Sequence, residues 1–500
     1  MLRLPFLLLA LPTPSRSCSA RAEVSVANRQ RHPLSPHLFG AFIEELNFVG
    51  DGGLFAEQIR NPGFEALGRG NLGELNHSRC TSWQWAPPPW AGPPPCLPDH
   101  DDFRPWSAEA LCGLPLAVSL DNSTHPFPTN PVALRVGVGR KAGCEGGVVL
   151  RNPGFWGIAA RPSLTFRLEF WASTTAPIAV SPTLWCPALG RSITTAATLS
   201  VVGPGWAPHA VSLRAREGCD AAVLSLTLAG SGGGAVTHFD GFSLMPGDAV
   251  AGIFRRDVFE AISALRPTFL RFPGGSFLEG YTFETRWNWQ NAIGPRAARP
   301  GHFNSAWGYW CTDHMGLPEY LLFAELVGAD AQMSVYDGYS IYQEYVPLNR
   351  SQVFAQDALD ALEYAKGSAT SKYGRVRVAD GHAAPFRLPR MEIGNEEGTT
   401  PDYQPLNGYR NHYDLVANAI RSHDPSVKVI ASAACTWQAS PGPSTAPAHC
   451  MNGSAKVELW DTHYYGTVAE MEAMNSTFDY YPRSLPPFIV GEYSAGNVNW

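Results

Sequence analysis

The stretch Pro389-Arg390-Met391-Glu392-Ile393-Gly394-Asn395-Glu396-Glu397-Gly398 reads as a short strand that stops on a polar tip. Met391 and Ile393 alternate with polar neighbours, the period of a strand. Gly394 then permits a close backbone approach, and an amide and two carboxyls follow. A second stretch, Pro487-Phe488-Ile489-Val490-Gly491-Glu492-Tyr493, repeats the plan: an apolar run that ends in Gly-Glu. One such tip is ordinarily an acid that caps the next helix or pairs with a base. Two of them on separate strands are the pair that acid/base and nucleophilic chemistry on a glycosidic bond requires.

Working outward, strands and helices alternate from residue 248 to the end. Apolar residues recur at helical spacing over Ile253–Leu265, and Arg266-Pro267 stops that helix. Thr268–Phe272 is a strand that runs into Pro273-Gly274-Gly275. Pro318 opens a helix at its first turn. Strand 331–335, helix 352–366, strand 389–395 and helix 406–422 follow, then strands 427–432 and 457–463, helix 467–474 and strand 488–492. Such alternation predicts parallel strands joined by helical crossovers. With Leu38–Glu44 as the first strand, the strands number seven, and the pattern predicts an α/β fold, a (β/α)8-type TIM barrel. The polar tips Glu44, Arg271, Glu396, His463 and Glu492 then gather on the C-terminal face, where such barrels carry their sites. His463 and Tyr465 are two apart, so on a strand they point the same way.

Between the first two strands the rhythm changes. Leu54–Arg60 reads as a short helix broken by Asn61-Pro62-Gly63. Residues 86–98 hold seven prolines, an extended solvated loop. From Val132 to Met245 short apolar runs are separated by Gly, Pro and Ser clusters, which predicts an inserted antiparallel β-sandwich. Trp156, Trp171, Trp185 and Trp206 lie within it, as packing residues or as faces for sugar rings. The expected organisation is a signal peptide at 1–22, a first barrel segment at 23–66, a carbohydrate-binding-like sandwich at 67–247 and the rest of the barrel at 248–500.

The composition is that of a globular protein: 45% hydrophobic and 16% charged residues, with a net charge of −7. That charge and the lack of a basic stripe argue against a nucleic-acid partner. No run of about 18 apolar residues follows the first strand, so no membrane span is expected. Arg3, the apolar run Phe6–Leu11 and Ala20-Arg21-Ala22 have the order of a secretion signal. Sequons start at Asn76, Asn122, Asn349, Asn452 and Asn475. Both point to a secreted, extracellular or cell-wall protein. Removal of the signal leaves nine cysteines, an odd number, with no metal-ligand spacing and with pairing left open.

The segments Leu38-Phe39-Gly40-Ala41-Phe42-Ile43-Glu44-Glu45, Asp51-Gly52-Gly53-Leu54, Asn61-Pro62-Gly63-Phe64-Glu65, Phe269–Gly275, Gly394-Asn395-Glu396 and Gly491-Glu492-Tyr493 together resemble the glycoside hydrolase family 51 α-L-arabinofuranosidases. The block ending at Asp240–Pro246 resembles the insertion of that family's eukaryotic members. The resemblance implies a retaining exo-glycosidase acting on terminal non-reducing α-L-arabinofuranosyl residues of polysaccharides or glycoprotein glycans, with no cofactor and no metal. It implies Glu396 as acid/base and Glu492 as nucleophile. Glu44 and Arg271 would line the sugar site, Asn395 would hydrogen-bond the 2-hydroxyl, and His463 and Tyr465 would complete it, Tyr465 donating to Glu492. Trp500 falls eight residues after Glu492, so relative to the family the chain is expected to be truncated, without the eighth strand and the C-terminal sandwich. The alternatives left open are an endo-β-1,4-glucanase or xylan-active hydrolase, and a non-catalytic carbohydrate-binding protein.

Overall fold

The computed structural model describes residues 35–68, 103–139, 142–143, 147–195, 198–230, 234–341, 344–397, 407–432, 457–474, 484 and 486–495. The expected signal peptide, the proline-rich loop and the sequons at Asn76, Asn452 and Asn475 lie outside them. Asn122 and Asn349 are both exposed. Residues 39–500 form one compact unit.

Seven strands make one parallel sheet in chain order: β1 (Ala41–Phe42), β2 (Phe269–Phe272), β3 (Asp330–Val335), β4 (Arg390–Ile393), β5 (Lys428–Ala431), β6 (Leu459–Gly466) and β7 (Phe488–Ala495). Each neighbouring pair runs parallel, as helical crossovers require. The longer helices between them are α1 (Arg256–Leu265), α2 (Leu317–Val327), α3 (Gln352–Lys366), α4 (Lys372–Ala379), α5 (Asn407–His423) and α6 (Val468–Ala473). The result is an α/β barrel-like sheet. No helix among the described residues is long and apolar enough to cross a membrane.

Local chemistry explains the helix ends. Pro318 sits in the first turn of α2, where a missing N–H costs nothing, and Glu319 reaches back to accept from the Gly316 N–H at 3.0 Å. Gly328 ends α2 at φ 76°, in the left-handed region that suits glycine. In α3, Phe354, Ala355, Ala358, Ala361, Leu362 and Ala365 form one buried stripe at spacings of three and four.

Two expectations need correction. The first strand is shorter than Leu38–Glu44: Leu38 and Phe39 are 51% and 72% exposed, and only Ala41 and Phe42 pair in register with Leu270 and Arg271. The segment Leu54–Arg60 is extended beyond Leu54, with the helical turn earlier, at Val49–Leu54. Its backbone is tied across the chain instead: Ala56 N donates to Ile253 O and Gln58 N to Leu244 O. Those partners exist only in the folded chain and outweigh local helix propensity. The helix α4 and the hairpin His302–Asn304/Tyr309–Cys311 have no counterpart in the periodicity reading.

Residues 107–246 form two antiparallel sheets of seven and five strands. The long strands Thr165–Thr174, Ile178–Cys186, Cys219–Gly230 and Ala235–Pro246 alternate buried and exposed side chains. Their buried faces share a core that includes Leu134, Leu168, Phe170, Leu226, Phe239 and Phe242, and that reaches back to Ile59 and Phe64. A separate core fills the parallel sheet and its helices. Cys186 and Cys219 are bridged, Cys112 is also disulfide-bonded, and Cys311 is a buried free thiol.

Candidate active site

Arg271 stands at the centre. It is the third residue of β2, its side chain is fully buried inside the sheet, and its planar fork engages several strands at once. Nε and Nη2 grip Glu392 of β4 at 2.7 and 3.0 Å, a bidentate pair. Nη1 donates to Glu492 of β7 at 2.8 Å, and Nη2 also donates to Asn395 Oδ1 at 2.9 Å. Asp461 of β6 lies 3.4 Å from Nη2. One cation thus sets the relative positions of the tips of the fourth, sixth and seventh strands.

His463, also on β6, is the second hub. Its Nε2 meets Asp461 at 2.8 Å and its Nδ1 meets Glu396 at 2.6 Å, with Glu492 at 3.7 Å. Tyr465 donates its hydroxyl to Glu492 at 2.5 Å. A register shift between Thr462 and His463 in the β6–β7 ladder brings His463 opposite Glu492. Glycine is required opposite, because a Cβ at Gly491 would run into the Asp461 carboxylate, which accepts from the Gly491 N–H at 2.7 Å. Glu396 itself has φ 40°, a strained conformation for a residue with a side chain.

On the other side, Glu44 accepts on one oxygen from Phe277 N at 2.9 Å and Trp307 Nε1 at 2.7 Å. Gly275, at φ 65°, packs so closely that a Cβ would strike the Glu44 carboxyl. Asn395 is fixed at both amide ends, by Arg271 and by Glu279 at 3.1 Å.

All seven residues expected at the site are therefore brought together: Glu44, Arg271, Asn395, Glu396, His463, Tyr465 and Glu492. Four contributors were not foreseen. Glu392 and Asp461 could have been found by the period-two rule, since each is an acid inside an apolar strand, and Asp461 shares the side of His463 and Tyr465. Glu279 and Trp307 come from the long segment after β2, where no periodicity marks them. Glu397, given no role in the sequence, is fully buried, and burial and the nearby charge of Asp337 push its carboxyl well above the usual range.

Two buried cations face a larger number of carboxyls, and the proton affinities follow. Burial alone would strip His463 of its proton, but the charges of Asp461 and Glu492 and its hydrogen bonds hold it well above the usual imidazole range. Burial would raise Asp461, yet His463 and Arg271 beside it outweigh that and hold it at about 2. Burial pushes Glu44 up to about 8, reinforced by the charge of Glu492. Burial likewise lifts Glu392 to about 7 and Asp51 to about 6.

These shifts give stability a pH dependence. Glu44, Glu392 and Asp51 bind protons in the folded protein that the unfolded chain releases above its ordinary values of 4.5, 4.5 and 3.8. Their contribution is present below those values and is lost as pH rises toward about 8. Asp461 acts oppositely: its contribution is present above 3.8 and is lost as pH falls toward about 2. The melting temperature is therefore expected to be higher at about pH 5 than at about pH 8.5, with a shallower fall in Glu44→Gln. A Tm that is flat or rising across that window contradicts this charge assignment.

Glu396, His463 and Glu492 offer ligand atoms within 4.8 Å of one another. The donor set does not suit a metal, because both ring nitrogens of His463 are already committed to carboxylates and the ring is held protonated. In the second acidic group, the Glu45 and Asp51 carboxylates accept from Gly50 N, Asp51 N, Tyr309, Thr312 N and the Thr312 hydroxyl, a structural arrangement.

Fold and site define a parallel α/β-barrel protein with a carboxyl pair, Glu396 and Glu492, at the C-terminal mouth of its fourth and seventh strands. Residues 261–483 match the family model of the α-L-arabinofuranosidase 1 domain. The chain is 30% identical over 478 residues to α-L-arabinofuranosidase 1 of Arabidopsis thaliana, covering 94% of this chain and 62% of that protein. It is 27% identical over 504 residues to α-L-arabinofuranosidase A of Aspergillus niger, covering 99% of this chain and 70% of that one. The solved arabinose-bound MgGH51 α-L-arabinofuranosidase superposes with a TM-score of 0.76 at 25% identity, over 94% of this chain and 68% of that one. The chain is thus similar to α-L-arabinofuranosidases over most of its length. It spans 62% and 64% of the lengths of the two Arabidopsis relatives it matches.

Proposed function

We propose that the protein is a retaining exo-glycosidase that releases terminal non-reducing α-L-arabinofuranosyl residues from arabinose-containing polysaccharides or glycoproteins. The observation that carries this reading is the spacing of the two carboxyls. Glu396 and Glu492 present oxygens within 4.8 Å of each other. Retention needs carboxyls about 5–5.5 Å apart, whereas inversion needs about 6.5–9.5 Å to admit a water. The names of the relatives supply the sugar.

In this reading Glu492 attacks the anomeric carbon. Arg271 and Tyr465 each donate to one of its oxygens and hold the attacking group in place. Glu396 protonates the leaving oxygen, and its 2.6 Å bond to His463 Nδ1 orients it for that step. Glu396 then takes a proton from the incoming water. Asn395 Nδ2 has a second hydrogen beyond the one given to Glu279, suited to the sugar 2-hydroxyl. Glu44 has an oxygen not used by Phe277 or Trp307, also for a sugar hydroxyl.

The same reading assigns the seven strands to strands one to seven of a (β/α)8 barrel. The two antiparallel sheets are then a β-sandwich inserted at 67–247. The exposed sequons at Asn122 and Asn349 support a secreted glycoprotein of the extracellular space or cell wall.

The test is an assay of the full-length protein on aryl arabinofuranoside, aryl xyloside and cellulosic substrates. Arabinofuranoside hydrolysis with retained anomeric configuration is expected. Preferred hydrolysis of the xyloside or cellulosic substrate, or inverted product, overturns the reading. Glu396→Ala is expected to cut turnover of natural substrates by about 10²–10⁴-fold, while the first step on aryl substrates with good leaving groups survives, since no proton is needed there. Added azide should capture the intermediate as a glycosyl azide. Equal loss on both substrate types removes Glu396 from the acid/base role.

A further inference from the structure

Of the four tryptophans in the antiparallel sheets, Trp171 packs against Phe127 and Trp206 donates to Thr124. Trp156 does neither. It is 61% exposed, on the tight loop between strands Val148–Asn152 and Ile158–Ala160. An exposed indole of that size leaves a large apolar face in water.

That loop is held against the barrel mouth. Asn152 donates to Arg60 O at 2.9 Å and accepts from Gly154 N at 2.8 Å, which closes the turn. Phe155 packs on Gly52, where a Cβ would overlap its ring. Phe48 lies 5.4 Å from Phe155, 6.4 Å from Trp156 and 4.1 Å from Tyr309, ring centroid to ring centroid. Phe48 is four residues past Glu44, and Tyr309 is two residues past Trp307, which donates to Glu44. The two loops that carry the Glu44 end of the site are thus the two that support Trp156. Phe48 is held at φ 60°, with its N–H given to the Tyr309 hydroxyl at 3.0 Å, so the support is fixed rather than a chance surface contact.

We propose that Trp156 is a sugar-stacking platform for the polymer side of the substrate, contributed to the barrel mouth by the antiparallel sheets. Its occupant is a neutral pyranose ring of the chain that bears the arabinofuranosyl branch. The C–H face of such a ring is apolar and matches the indole face, while its hydroxyls stay in water. The proposal deepens the arabinofuranosidase reading and rests on it for the position of the cleaved sugar. It makes the antiparallel block part of substrate recognition for the polymer, and leaves the cleaved arabinose to the carboxyl cluster.

The experiment compares the full-length protein with Trp156→Ala and Trp156→Phe on arabinoxylan and on an aryl arabinofuranoside. The ratio of kcat/KM on the polymer to that on the aryl substrate is expected to fall about tenfold in Trp156→Ala, carried by KM, and to recover in part in Trp156→Phe. Calorimetric titration of the same proteins with soluble arabinoxylan should show a matching loss of affinity. An unchanged ratio together with unchanged polymer binding overturns the platform. Wild-type protein that leaves the aryl arabinofuranoside intact overturns the arabinofuranosidase reading instead, and the titration then still decides whether Trp156 holds the polymer.

Discussion

Glu492→Ala is expected to abolish turnover on every substrate, activated aryl glycosides included, with a loss on the order of 10⁴-fold or more. The size follows from what is removed. On the proposed mechanism, Glu396→Ala would slow a proton transfer that a good leaving group can do without, but Glu492→Ala would take away the atom that forms the covalent bond. The surroundings of Glu492 suit that proposed task. Arg271 Nη1 donates to one oxygen at 2.8 Å and Tyr465 to the other at 2.5 Å, and His463 stands 3.7 Å away. An arabinofuranosyl inhibitor that traps the nucleophile should label the peptide containing Glu492. Label found on Glu44 or Glu397, or a variant that keeps aryl turnover, removes Glu492 from the nucleophile role.

The second large effect is structural. Arg271→Ala is expected to destabilise the fold by about 3–5 kcal/mol, because it leaves Glu392, Asp461 and Glu492 buried without their shared cation. Arg271→Lys keeps a charge but cannot reproduce the bidentate grip on Glu392, so it should recover part of the stability and little of the activity. Denaturant unfolding and aryl-glycoside kinetics on the three proteins separate the two effects. A stability change under about 1 kcal/mol in Arg271→Ala would show that the cluster is solvated and that Arg271 does not organise it.

Much of this molecule is legible without coordinates. The order of β1–β7 and the position of α3 follow from alternation at two and at 3.6 residues, which the backbone geometry imposes on any chain with one buried face. Because strand tips of a parallel barrel converge on one end, numbering the strands brings Glu44, Arg271, Glu396, His463 and Glu492 to one mouth. The pairing of His463 with Tyr465 on one side needed only their spacing.

What the sequence left open depends on contacts between residues far apart in the chain. Leu54–Arg60 has a helical pattern but is extended, because its N–H groups find acceptors at Leu244 and Ile253. Glu392 read as a polar neighbour of Met391 and Ile393, and only the assembled sheet shows it gripping Arg271 from 121 positions away. Trp307 and Trp156 sit in loops, where no period marks a side chain's direction, so their places beside Glu44 and Phe48 come from tertiary packing alone. Local sequence determined the elements, their order and the end of the sheet that carries the acids. The tertiary structure decided which acid faces which cation, and hence which carboxyls hold protons, because those energies depend on distances that the spacing of residues along a chain does not encode.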